Sequence, residues 1–106
     1  MAPPGGWLHG VPGVLDGGQL TLTVDRLAEW QLSDGMMPWF PGGHADPWNH
    51  TEALMALMLG GRRAEAEAGF AWLAGLQHAD GSWHQYYLAG GEVEEPKLDA
   101  NCVAYV

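Results

Sequence analysis

The sequence predicts an all-α fold built from helical hairpins, and three observations carry that prediction. A helix-and-turn unit occurs twice. Its second copy, Phe70 to Trp83, reads FAWLAGLQHADGSW: an apolar helical run ends at Gln77, a polar turn Asp80-Gly81-Ser82 follows, and Trp83 comes next. The first copy runs Leu27-Ala28-Glu29-Trp30-Gln31, then Leu32-Ser33-Asp34-Gly35, with an aromatic at Trp39. The two glutamines are 46 residues apart, and a fixed period of that size marks an array of supersecondary units. The second observation is an alternation of amphipathic helices with nearly all-apolar ones. The third is the punctuation, with Asp46-Pro47 and Pro96 as helix starts and Gly60-Gly61 as a stop.

Residues 1–17 are rich in Pro and Gly and read as an irregular arm. A first helix is expected from about Gly18 to Gln31, with Leu20, Val24, Leu27 and Trp30 on one face. Thr21 and Thr23 are β-branched and weaken its start. Ser33 to Asp46 holds three Gly and two Pro and reads as loop. Asp46 is a good N-cap, and Pro47 at the first helical position gives up no bond. The helix that follows carries Ala53, Leu54, Leu57 and Met58. It is apolar around most of its circumference, so burial on more than one side is expected. A third helix is expected from about Arg62 to Gln77, its buried stripe formed by Phe70, Leu73 and Leu76. Pro96 is expected to open a fourth helix, Leu98 to Val106, equivalent to the one after Pro47. That helix stops after about two turns without cap, Gly or Pro. The chain is therefore expected to be the N-terminal piece of something longer, with residues 18–106 forming part of the domain.

Composition excludes several classes. Net charge is −9, and only Arg26, Arg62, Arg63 and Lys97 are positive, so there is no basic footprint for nucleic acid or anionic lipid. Cys102 is the lone cysteine; without a disulfide framework, and without a signal peptide at the N-terminus, a cytoplasmic location is expected. The longest apolar run, Ala53 to Leu59, falls far short of the roughly 20 residues that span a bilayer.

The stretch Phe70-x-Trp72-Leu73-x-x-Leu76-Gln77-x-x-Asp80-Gly81-Ser82-Trp83 resembles the QW repeat of squalene- and hopene-type terpene cyclases and related prenyltransferases. The likeness is partial at Gln31 to Trp39. Together the copies and their inner helices cover about residues 20–106. That resemblance implies an α/α toroid, of which this chain would form about two hairpins, with Gln and Trp tying each outer helix to the next inner one. The family's Asp-x-Asp-Asp acid motif is absent, and Asp99 and Cys102 lack the zinc spacing of the protein prenyltransferases. Asp80-Gly81-Ser82-Trp83-His84-Gln85 also looks like a turn of the unsaturated-glycan hydrolases among the six-hairpin glycosidases, which build an (α/α)6 barrel.

In such barrels the cavity lies where inner helices begin, so the stretches around Asp46 and Pro96 are the places to look. Trp39, Trp48, Asn49, Trp83, His84, Gln85, Tyr86 and Asn101 are the candidate substrate-binding residues. Aromatics interleaved with hydrogen-bonding groups suit sugar stacking or the stabilisation of a carbocation. The alternative is that the six tryptophans only pack loops onto the ring. Glu52 and Asp99 each stand on an apolar inner helix, where a carboxylate is costly unless paired or facing a wet cavity. With His50 they are the candidate catalytic residues, the two carboxylates as general acid and base; the alternative is a hydrogen-bonded structural role. His44, Asp46 and His50, or His78, Asp80 and His84, lack the spacing of a known metal-ligand set. No metal and no cofactor is expected. Asp34 and Asp80 read as turn formers, Gln31 and Gln77 as helix-end closers, and Cys102 as a packing residue.

The leading expectation is an enzyme of the prenyltransferase and terpene-cyclase kind acting on an isoprenoid or similar apolar small molecule. The alternatives are a six-hairpin glycosidase-like enzyme acting on a sugar, and a non-catalytic repeat scaffold. No nucleic-acid partner and no membrane span is expected, and the rest of its own chain is expected to be needed to close the ring.

Overall fold

The computed structural model describes residues 10–98 of the 106. Three helices come first: α1 (Gly17–Trp30), α2 (Pro47–Leu59) and α3 (Arg63–Leu76). A hairpin of β1 (His84–Tyr87) and β2 (Val93–Leu98) follows, its strands antiparallel and joined through a 3-10 turn at Ala89–Gly91. The architecture is therefore helix-rich but mixed, where all-α was expected. Among the described residues no helix is long and apolar enough to cross a membrane.

Local chemistry explains the starts of α1 and α2, whereas the N-cap of α3, Arg62, makes no side-chain cap bond. Asp16 caps α1 through Gln19 N at 2.7 Å, and the Gln19 side chain accepts from Asp16 N at 2.9 Å, a reciprocal capping box. Asp46 caps α2 by accepting from Asn49 N at 2.8 Å, with Pro47 at the first helical position. The cap N–H of Gly60 closes α2 onto Ala56 O.

The repeat holds at the level of individual bonds. Gln31 Nε2 donates to Gly35 O, and Gln77 Nε2 donates to Gly81 O, both at 3.0 Å. Leu32 N donates to Met36 O as His78 N does to Ser82 O. Met36 N donates to Asp34 Oδ1 as Ser82 N does to Asp80 Oδ1. Gly35 and Gly81 take φ of +102° and +92°, a region that L side chains rarely adopt. The two glutamines thus close the turn beyond the helix. In this register Met37, 3% exposed, stands where Trp83 stands, 5% exposed. Trp39 is not the counterpart of Trp83.

Two clusters form the core. Val24, Met37, Leu54, Leu57 and Ala66 join the three helices. Met36, Ala45, Trp72, Leu73, Trp83 and Tyr87 join α3 to the hairpin. Gly69 lets α3 come close to α2, since a Cβ there would run into the Leu54 side chain. The face of α3 turned to the core carries Ala66, Gly69, Trp72 and Leu73, so Phe70, 40% exposed, lies outside the stripe assigned to it. Among the described residues only one side of α2 is covered; Met55, Met58 and Leu59 are exposed.

Pro96 lies within β2 and opens no helix there. His84 pairs with Leu98 and Tyr86 with Glu95, so the single residue between them on β1, Gln85, faces two on β2, Pro96 and Lys97, and Pro96 sits in that irregularity. A bulge is where a strand tolerates a residue with no N–H. The expected helix beyond Leu98, with Asp99, Asn101 and Cys102, lies outside the described residues.

Candidate functional site

The N-terminus of α2 and the hairpin are brought together by one short bridge. Ala45 N donates to Tyr87 O at 2.9 Å, and Tyr87 N donates to Ala45 O at 2.8 Å. This sets Tyr86 of β1 and Glu94 of β2 against the loop that leads into α2. His44 stacks on Tyr86 with ring centroids 4.4 Å apart, and Trp39 meets His44 edge-on at 4.5 Å. His44 Nδ1 donates to Glu94 Oε2 at 2.8 Å across 50 residues of sequence. Its Nε2 is buried and has no partner among the described residues.

Asp46 lies under this aromatic group and is buried. Its Oδ1 caps the helix, and its Oδ2 accepts from Trp39 Nε1 at 2.6 Å and from Asn49 Nδ2 at 2.7 Å. One carboxylate thus fixes the helix start, the Trp39 ring and the Asn49 amide together. Beside it, Trp48 Nε1 donates to Glu52 Oε1 at 2.7 Å, one turn apart on α2 at the surface. A cleft of about 500 Å³ opens between the end of α1, the segment 37–40 and the start of α2. Leu27, Met37 and Ala53 line its more buried part, and Trp39 and Phe40 are its exposed aromatics.

The remaining expected site residues lie elsewhere or serve the core. Trp83 is buried, and its Nε1 donates to Leu73 O at 2.8 Å. His84 donates from Nδ1 to Pro96 O at 2.7 Å, bracing the bulge. Gln85 is half-buried in β1. Asp99 and Asn101 lie outside the described residues. Of the binding set, Trp39, Asn49 and Tyr86 come together around Asp46 and His44; Trp48 sits one turn along with Glu52. Glu94 escaped the sequence reading because it reaches the mouth only by the return of the hairpin. Among the described residues no three His, Cys, Asp or Glu side chains gather as a metal site.

His50 is fully buried. Met37 N donates to its Nδ1 at 3.1 Å, which leaves the proton on Nε2, and Nε2 donates to Gly69 O at 2.8 Å. Both ring nitrogens are thereby held by backbone, and neither faces the mouth with a free lone pair. Desolvation pushes its pKa below the ordinary 6.5, outweighing the opposing pull of the Gly69 carbonyl and of Asp46. Below pH 6.5 the unfolded chain therefore binds a proton that the folded chain refuses. The stabilisation is complete above pH 6.5 and declines as pH falls towards the folded-state pKa, by at most about 1.4 kcal/mol per pH unit. Melting temperatures measured from pH 7.5 down to 5 should fall, and His50→Gln should flatten that part of the profile; an unchanged profile in the variant would assign the acid sensitivity elsewhere.

No family model matches the chain. It is 44% identical over 97 residues to the MMP endo-(1,4)-3-O-methyl-alpha-D-mannosidase of Mycolicibacterium hassiacum (strain DSM 44199 / CIP 105218 / JCM 12690 / 3849). The match takes in 92% of this chain and 27% of that protein, so the chain spans about a quarter of the length of the curated relative it matches. The likeness is to a glycosidase, which is the alternative expected from the sequence, and it gives no support to the prenyltransferase and terpene-cyclase reading.

Proposed function

We propose that this chain belongs to a glycosidase-like enzyme in which the mouth of α2 binds an α-(1→4)-linked mannoside. The 44% identity to an endo-mannosidase over nearly all of this chain carries the proposal. The site chemistry supports it. Trp39 and Tyr86 offer flat apolar faces for sugar rings, and Asn49, held by Asp46, and Glu94 offer hydrogen-bonding groups beside them. In this reading residues 18–106 contribute hairpins to an α/α ring, and other hairpins complete the cavity.

Glycoside hydrolysis needs two carboxyl groups flanking the scissile bond. Glu52, at the surface of α2 beside Trp48, is the described candidate for one of them, with Asp99 as its sequence-proposed partner. Asp46 is the carboxylate most closely framed by the aromatic group. His50 acts as a structural group, holding Met37 and Gly69 in place.

The test is hydrolysis of an α-(1→4)-linked 3-O-methylmannose oligosaccharide, with a prenyl diphosphate as the competing substrate class. Cleavage of the sugar is expected, with KM raised about tenfold in Trp39→Ala, equivalent to about 1.4 kcal/mol of lost stacking. Turnover of the prenyl diphosphate with no action on the sugar would overturn the proposal.

A further inference from the structure

We infer that His78 and His84, on either side of the turn that follows α3, form a two-imidazole site for a borderline divalent cation such as zinc. The inference is independent of the sugar-binding reading, since neither residue belongs to the Asp46 group.

Hydrogen bonds decide which nitrogen of each ring carries the proton. His84 Nδ1 lies 2.7 Å from Pro96 O, and a carbonyl only accepts, so the proton sits on Nδ1. His78 Nδ1 lies 2.9 Å from Ser82 Oγ, a group that can either donate or accept. Asp80 resolves the choice. Its Oδ1 accepts from Ser82 N at 3.0 Å and lies 2.6 Å from Ser82 Oγ. A carboxylate has no proton to give, so the Ser82 hydroxyl donates to Asp80 and His78 Nδ1 donates to the hydroxyl. Both Nε2 atoms are left as bare lone pairs. Neither has a partner among the described residues, and neither is sealed from solvent as His44 Nε2 is.

The Asp80-Gly81-Ser82 turn brings the two rings together, with centroids 4.5 Å apart and planes at 75°. Two imidazoles on one ion, each with a metal–nitrogen bond of about 2.1 Å, have centroids about 4.5–5.3 Å apart for bond angles from a right angle to the tetrahedral value. The separation here falls at the right-angled end. The bracing of the far nitrogens points the same way. A histidine that ligates a metal donates its other N–H to a carbonyl or carboxylate, which fixes the tautomer and raises the basicity of the ligand. His84 does this directly, and His78 does it through Ser82 to Asp80. Neutral imidazole suits zinc, nickel and copper, whereas magnesium and calcium take oxygen ligands. No third side-chain ligand gathers among the described residues, so water fills the remaining positions.

The test is a zinc titration of the untagged full-length protein by calorimetry, repeated with magnesium. Zinc should bind and magnesium should not. His78→Ala and His84→Ala should each weaken zinc binding at least about tenfold, and His44→Ala should leave it unchanged. Ser82→Ala keeps both ligands and removes only the brace on His78, and it should cost about 10-fold or more. Melting curves taken without zinc establish that each variant is folded. Zinc binding that survives both histidine variants, or that falls equally in His44→Ala, overturns the site. Wild-type affinity in Ser82→Ala would mark ordinary surface-histidine binding and overturn it too. No saturable binding at about 1 mM zinc would mean that the pair takes up protons only, which also overturns it.

Discussion

His50→Ala should lower stability by about 3–5 kcal/mol, a large share of the roughly 5–15 kcal/mol available to a domain of ordinary stability. The substitution leaves Met37 N–H and Gly69 C=O without their partner in the interior, at about 1–3 kcal/mol each. It also opens a void where the imidazole meets Trp72, at a ring-centroid distance of 4.8 Å. Urea unfolding of the protein, followed by tryptophan fluorescence, measures the loss. His50→Gln retains one acceptor and one donor and should recover part of it. The pair of variants also separates two roles. A structural histidine gives His50→Gln intermediate stability and activity in proportion to the folded fraction. Full stability with abolished activity would return His50 to the catalytic list.

The second large effect comes from comparing the two turns. Gly35→Ala should be far more damaging than Gly81→Ala, although both glycines take a positive φ and make equivalent internal hydrogen bonds. The conformational strain, about 1–3 kcal/mol, is common to both. The surroundings differ. A Cβ on Gly81 has nothing nearer than Gln77 Nε2 at 3.8 Å, whereas a Cβ on Gly35 would run into the backbone carbonyl of Ala68 on α3. A backbone group cannot swing aside, so the turn must lift off α3 and strain the Gln31 Nε2 bond to Glu65 O, 2.8 Å long. An additional loss of about 2 kcal/mol or more is expected for Gly35→Ala. Equal losses in the two variants, measured by chemical denaturation, would mean that the turn's contact with α3 carries no stability.

These comparisons also indicate what could be read from the sequence. The turns were legible because Gln-x-x-Asp-Gly is a local device: each residue satisfies a bond within four positions of itself. The Asp46-Pro47 helix start was legible for the same reason. On α3 the expected stripe holds at Leu73 and Leu76 but not at Phe70, because a hydrophobic pattern weighs large side chains, while the contact with α2 is made by Ala66 and Gly69, whose value is their small size. Trp39 was matched to Trp83 by residue type; counting the period puts Met37 there. The hairpin was missed because Gly90-Gly91 and Pro96 are equally good signals for a loop followed by a helix. Only the pairing of β2 with β1 decides between them. The grouping of side chains around the start of α2 was legible where residues 39–52 are contiguous, but the Glu94 contact with His44 is made across the fold and has no local signature.

The two turns also differ in how they are tethered. Gln31 holds its own turn with one hydrogen bond and reaches α3, at Glu65 O, with another. Gln77 makes the first of these bonds, and among the described residues it makes no second. Opening a turn of the first kind also breaks its bond to α3, which costs about 1 kcal/mol more than opening one of the second kind. The lifetime of the first turn is partly borrowed from its neighbour. A turn of the second kind opens on its own clock. Any chain segment that later accepts the Gln77 amide would therefore slow the motions of residues it does not otherwise touch, passing rigidity backwards along the chain, one hairpin at a time.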